Sequence, residues 1–145
     1  MFKKIMVPVD GSVTSWKALE KAKALAELCH GDLVVAHVVL TYSNAELYVQ
    51  EAGGDILDVE RTTMKKLGTH VLDTAKSKME GFSGKVEYVM EVGQPASQIL
   101  NLAEKHEVTD IVIGCRGLGG IEEFLLGSVS SKVAQHAKIP VLIVK

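Results

Sequence analysis

Val108-Thr-Asp-Ile-Val-Ile-Gly114-Cys-Arg-Gly117-Leu-Gly119-Gly120-Ile-Glu-Glu-Phe-Leu-Leu-Gly127-Ser128-Val-Ser-Ser131 is the stretch from which the rest of this 145-residue chain can be read. It opens on a β-branched run, Ile111 to Ile113, which predicts a buried strand. It then breaks into glycines and resumes helical spacing from Ser128 to His136. Strand, glycine-rich loop and helix start together make a phosphate cradle. Glycines let backbone N–H groups approach an oligophosphate, and a helix N-terminus adds unpaired N–H groups and partial positive charge.

Outward from this stretch, the same grammar repeats. Lys4 to Val9 is a nearly continuous apolar run ending in Asp10-Gly11-Ser12, with Pro8 near its end, where a missing N–H does little harm. Ser12 or Ser15 caps the helix that follows. That helix carries Trp16, Leu19, Ala22, Ala26 and Cys29 at helical spacing, and Gly31 stops it as a C′ residue. Leu33 to Leu40 is the second strand. Continuous rather than alternating hydrophobicity is expected of parallel strands buried on both faces.

Thr41 to Asp55, with Tyr42, Tyr48 and Gly53-Gly54, reads as a long polar loop with one helical turn; the tyrosines read equally as a lid or as surface packing. A helix from Ile56 follows, with Val59, Thr63, Leu67, Val71, Ala75 and Met79 on one face. Gly68 interrupts it at a cost of about 1 kcal/mol relative to Ala. Val86 to Val92 alternates, which predicts a half-exposed strand near a sheet edge. Pro95 opens a helix with Ile99, Leu100 and Ala103 inward. Thr109 to Ile113 is the fourth strand. After the glycine loop, Val129, Val133 and Ala137 face inward, and Pro140 to Val144 is the last strand. The alternation predicts a single α/β domain over residues 1–145. It is doubly wound, with a five-stranded parallel sheet and helices on both faces.

Composition excludes several functions. Lys and Arg number 16 against 18 Asp and Glu, a net charge of −2, and no basic run is long enough to track a nucleic acid. No stretch approaches the roughly 18 apolar residues of a membrane span. The start, Met-Phe-Lys-Lys, carries no signal-peptide core. Cys29 and Cys115 have no metal-ligand or disulfide spacing. A soluble cytoplasmic protein is expected.

Open α/β sheets bind ligands beyond the carboxyl ends of their strands, where the winding reverses. Taking the strand order as 3-2-1-4-5, that crevice brings Asp10-Gly11-Ser12 beside the Gly114 loop. Two familiar nucleotide motifs fail here. The Walker A loop needs Lys-Ser or Lys-Thr after its last glycine, where this chain has Gly120-Ile121. The dinucleotide fingerprint should follow the first strand, where this chain has Asp-Gly-Ser-Val-Thr-Ser.

What remains resembles the ATP-binding branch of the universal stress protein family. The family's Gly-x2-Gly-x9-Gly-Ser/Thr loop is met by Gly114, Gly117, Gly127 and Ser128. The opening Ile-Met-Val-Pro-Val-Asp-Gly-Ser, His37-Val38 and the closing Ile-Pro-Val-Leu-Ile-Val match as well. The resemblance covers essentially the whole chain. It implies ATP, carried with Mg2+, as the ligand. Asp10 would lie near the ribose and phosphates, within reach of the Mg2+, with Ser12 beside it. Pro8 and Val9 would shape the wall, and the Val38 backbone would read the adenine edge. The N–H groups from Gly114 through Arg116, Gly117, Gly119 and Gly120, and those of Gly127, Ser128 and Val129, would hold the phosphates with the hydroxyls of Ser128 and Ser130. It also implies a homodimer through Val141 to Val144, consistent with an apolar edge strand needing a partner.

Plainer readings stand beside these. Asp10 could be only a helix cap, and Ser128 serves as a cap in either case. Arg116 reads equally as a phosphate contact or a solvated loop residue. Cys115 reads as a small residue among glycines rather than a redox sensor. His37 reads as a satisfied core residue, and His30, His70, His106 and His136 have no ligand-like spacing. Three functions are compatible with the residues. The favoured one is an ATP-binding regulator with at most slow hydrolysis and an unidentified protein partner. The others are a true ATPase or transferase using Asp10 and Mg2+, and an interaction module with a vestigial loop.

Overall fold

The computed structural model describes residues 1–40, 55–116 and 126–145. The expectations for the loop at 41–54 with its tyrosines, and for Gly117, Gly119 and Gly120, lie outside those residues. Among the described residues strands and helices alternate: β1 (Lys4–Pro8), α1 (Val13–Cys29), β2 (Asp32–Leu40), α2 (Asp55–Lys78), β3 (Val86–Gly93), α3 (Pro95–Lys105), β4 (Asp110–Gly114), α4 (Ser128–His136) and β5 (Val141–Val144). The five strands form one sheet in the order β3-β2-β1-β4-β5, and every pair is parallel.

Each apolar run splits its residues between two cores because side chains alternate across a strand. Ile5, Val7, Leu33, Val35 and Val112 pack with α1 and α2 on one face. Met6, Val34, Ala36, Ile111 and Ile113 pack with α3 and α4 on the other. Two helices per face is the doubly wound arrangement. Among the described residues no helix is long and apolar enough to cross a membrane.

Several local expectations change. The left-handed residue that ends α1 is His30 (φ 52°), not Gly31, and the Gly31 N–H reaches back to the Ala26 carbonyl at 2.8 Å. Cys29, expected on the inner face of α1, is exposed. In α2, Leu67 is 56% exposed; the expected Ala75 and Met79 are buried and Val71 is partly so, and Gly68 and Leu72 join them on the inward face in place of Leu67. The helix continues through Gly68. A Cβ there would lie 2.8 Å from His37 Cδ2 and 3.2 Å from Met90, so the glycine lets α2 lie close on the sheet. On β3, Val89 faces the α3 side instead of solvent, because both faces of this edge strand are partly covered. In α3 the fully buried stripe includes Leu102, with Leu100 only partly covered.

Glu87 on β3 is clasped by Lys4 Nζ at 2.8 Å and by His106 Nδ1 at 3.0 Å. The Lys4 hydrogen bond, opposed by slight burial and helped by His106, holds this carboxyl below its ordinary value of 4.5. A depressed folded-state pKa contributes stability above the ordinary carboxylate pKa and loses it as pH falls through the folded value. Because the pair is largely solvated, the contribution is small. NMR titration of the Glu87 side chain should show its midpoint rising toward 4.5 in Lys4→Met. An unchanged midpoint would mean that Lys4 does not set it.

Candidate functional site

The crevice arises from how β1 leaves its neighbours. β1 and β4 are paired only at Ile5 with Asp110 and Met6 with Ile111. Beyond that, β1 follows β2 as far as Pro8 with Ala36, while β4 follows β5 to Gly114 with Val144. The carboxyl ends of β1 and β4 therefore part where the winding reverses, the position where doubly wound sheets bind ligands. The cleft there has a volume of about 360 Å³, within the usual range for small-molecule sites.

Two helices point their N-termini at it. Ser12 caps α1: its hydroxyl accepts the Ser15 N–H at 3.3 Å, and its carbonyl accepts the Trp16 N–H. Asp10 is therefore not the cap. One of its carboxylate oxygens accepts the Ser12 N–H at 2.9 Å, and the other has no partner among the described residues. Gly127, not Ser128, is the N-cap of α4, and Ser128 is its first helical residue. The Ser131 N–H closes the first turn on the Gly127 carbonyl, leaving the N–H groups of Ser128, Val129 and Ser130 unpaired within the helix. All three residues line the cleft.

The loop leaving β4 is fastened at its base from both sides. The Arg116 carbonyl accepts the Thr14 hydroxyl from α1. The Cys115 carbonyl accepts the Gly127 N–H at 2.7 Å and the Ser130 hydroxyl at 2.8 Å. The expected roles of these two groups toward phosphate therefore change: the Gly127 N–H and the buried Ser130 hydroxyl are engaged in holding the loop. Ser128 is exposed at the mouth, and its hydroxyl has no partner among the described residues. Gly114 is required by close approach, since a Cβ there would lie 2.8 Å from the Thr14 carbonyl carbon and 2.9 Å from its oxygen. Cys115 is buried.

On the other side of β1 the site is made of backbone. In a parallel ladder both polar groups of a residue point to the same neighbour, and successive residues alternate. Asp32 and Ala36 bond toward β1, through Asp32 N–H to the Lys3 carbonyl and Val9 N–H to the Ala36 carbonyl, whereas the Leu33 N–H bonds toward β3. Val38 shares the parity of Asp32 and Ala36, so its N–H and carbonyl face the β1 side. The β1 pairing has ended at Pro8, and neither group has a partner there among the described residues. One donor and one acceptor, side by side at the cleft wall, can pair with a ligand edge that carries an acceptor beside a donor.

The structure brings together Pro8, Val9, Asp10, Val38, Gly114, Arg116, Gly127, Ser128, Val129 and Ser130 on one cleft. Ser12 is not on its wall; it is buried as the α1 cap. Sequence reasoning missed Ser15, Ala36, Pro95, Ile99 and Ile113, which also line the cleft. Ala36 offered a signal as the small residue inside a strand of larger ones, and Pro95 as the first residue of a helix following a strand; Ile99 and Ile113 are core residues that also meet the cleft. Arg116 is the cation and Asp10 the anion among the described lining residues. Asp10 is a hard oxygen donor suited to Mg2+ that arrives with a nucleotide. No group of three metal-ligating side chains occurs among the described residues, so no all-protein metal cage is found there. The buried carboxylate of Asp110 starts β4 and lies at the opposite end of the sheet, where it accepts the Phe2 N–H.

Comparison with known proteins agrees with this fold. The model of the universal stress protein family matches residues 1–145. Universal stress protein YxiE of Bacillus subtilis is 40% identical over 151 residues, covering 100% of both chains. Universal stress protein MJ0577 of Methanocaldococcus jannaschii is 30% identical, and its solved structure superposes with a TM-score of 0.85 over 100% of this chain and 96% of that one. A universal stress protein solved in complex with cAMP is 28% identical, with a TM-score of 0.72 over 99% of this chain and 97% of that one.

Proposed function

We propose that this chain, which belongs to the universal stress protein family, is a single-domain cytoplasmic regulator that binds ATP and passes its nucleotide state to a protein partner. The observation that carries the reading is one cleft flanked by two complementary half-sites. Val38 presents a donor and an acceptor with no partner among the described residues from the β2 side, and α4 presents three N–H groups unpaired within the helix from the β4 side. Adenine has the first pattern and a polyphosphate suits the second. Arg116 adds positive charge to the cleft lining. The cAMP complex of a 28% identical relative supports an adenine nucleotide of some kind. The spacing of Gly114, Gly117, Gly127 and Ser128 supports the triphosphate.

Asp10 fits Mg2+ carried by the nucleotide through its unpartnered oxygen, and the metal would neutralise phosphate charge there. Asp10 is also the only carboxylate among the described lining residues, and its other oxygen is held by the Ser12 N–H. With no second carboxylate among the described lining residues to position water, hydrolysis is expected to be slow. The edge strand β5, with Leu142 42% exposed, supports a homodimer through Val141 to Val144.

The test is gentle purification, acid extraction and chromatography of the released nucleotide, with Ser128→Asp alongside. ATP near one per chain in the wild type, and little in the variant, is the expected result. ADP would favour the enzyme reading and call for a turnover assay. A cyclic nucleotide would keep the adenine half-site and overturn the triphosphate. An empty protein that also fails to bind added ATP with Mg2+ would overturn the reading, and the vestigial-loop alternative would take its place. Light scattering on the same preparation should give a dimer mass; a monomer at all concentrations would remove the β5 interface.

A further inference from the structure

The open backbone of Val38 has a cause that the parallel register makes visible. Given Pro8 opposite Ala36 and the Val9 N–H on the Ala36 carbonyl, the next rung of the ladder is the Val38 N–H on the Val9 carbonyl. That rung is missing. The Val9 carbonyl instead meets His37 Nδ1 at 2.8 Å. A carbonyl can only accept, so Nδ1 carries the proton. The ring sits under α2 at the one place where that helix has no side chain: a Cβ on Gly68 would lie 2.8 Å from His37 Cδ2.

We propose that His37 is the positioning residue of the base-reading half-site, taking the Val9 carbonyl so that the neighbouring Val38 N–H stays free to meet the ligand. Gly68 is the second part of the device, because it gives the ring its seat. His37 touches no nucleotide in this scheme; it acts through Val9 and Val38. The ligand part rests on the ATP reading above, whereas the backbone part stands on the hydrogen bonds alone.

Two measurements separate these parts. The first is hydrogen exchange of the Val38 amide in the nucleotide-free protein. It should be poorly protected in the wild type, become protected in His37→Leu as the ladder rung forms, and stay poorly protected in His37→Asn, whose amide reaches the position of Nδ1. Equal protection in all three proteins would overturn the proposal. Gly68→Ala, which displaces the ring without deleting it, guards against a His37→Leu chain that fails to fold, and should move Val38 in the same direction. An unchanged Val38 amide in a folded Gly68→Ala protein would count against the proposal.

The second measurement is the ratio of ATP to inosine triphosphate affinity. The inosine base swaps donor and acceptor on the edge that Val38 reads. The wild type should prefer ATP by at least about tenfold, the equivalent of one good hydrogen bond matched rather than mismatched. The preference should fall toward one in His37→Leu and be kept in His37→Asn. A merely structural histidine would weaken both nucleotides and leave the ratio unchanged. If the wild type binds neither nucleotide, the ATP reading fails and the Val38 amide still decides this inference.

Discussion

Gly114→Ala is expected to cost the protein about 3 kcal/mol of stability, the upper part of the range for overpacking a well-filled site. In a domain of this size the midpoint of thermal unfolding should fall by roughly 10 °C. The reason is what the new methyl would strike. It would lie 2.8 Å from the carbonyl carbon of Thr14 and 2.9 Å from its oxygen, both backbone atoms of the first turn of α1. No rotamer change relieves that contact. Either α1 withdraws from the end of β4, or β4 breaks from β5 at Gly114 and Val144. Thr14→Ala should not rescue the variant, because it removes the hydroxyl and leaves the backbone in place. A thermal melt by circular dichroism checks the first claim, and the double variant checks the second. A Gly114→Ala protein that melts with the wild type but has lost ATP would reverse the assignment and make Gly114 primarily a ligand residue. This glycine, the first of the phosphate motif, is thus held by the packing of α1 whether or not a nucleotide binds.

The same double duty explains what the sequence could and could not reveal. Ile111 to Ile113 and Leu33 to Leu40 were legible as strands because parallel strands are apolar on both faces. The order 3-2-1-4-5, taken as a premise, is the order observed. The readings that failed turn on which of several suitable residues a tertiary contact selects. Gly31 and His30 could each end α1, and the backbone turned at His30. Leu67 had the better hydropathy, yet the helix rotated to put Gly68 against His37 and Met90. Ser128 had the better capping chemistry, yet Gly127 took the cap because its N–H closes on the Cys115 carbonyl.

The site divides in a similar way. The side proposed for phosphate was legible because glycines and a helix start leave marks in composition. The side proposed for the base was not legible from composition, because Val38 contributes only backbone, and any apolar residue there would read alike. The resemblance to a family supplied Val38. The hydrogen bonds then showed why that backbone is open, through a histidine that the sequence suggested only as a satisfied core residue.

Ser128→Asp should uncouple ligand from fold in the opposite sense to Gly114→Ala. Ser128 is the first residue of α4 and is exposed, and the cap position before it is held by Gly127. A carboxylate in the first turn of a helix is favourable by about 0.3–1 kcal/mol, so the melt should be unchanged or slightly higher. A polyphosphate at the same N-terminus would meet a like charge. Two unit charges about 4 Å apart at a protein surface repel by up to about 4 kcal/mol before salt screening. The expected loss in ATP affinity is therefore on the order of 100-fold, and it should shrink as salt is added. Ser128→Ala removes only the hydroxyl and should weaken binding by roughly tenfold. Isothermal titration with Mg-ATP at two salt concentrations, beside a melt of the free protein, tests all of this together. A Ser128→Asp protein that binds as the wild type does would move the phosphates away from α4. One that melts far below the wild type would show that the side chain at the mouth of the cleft is not free, contrary to its exposure.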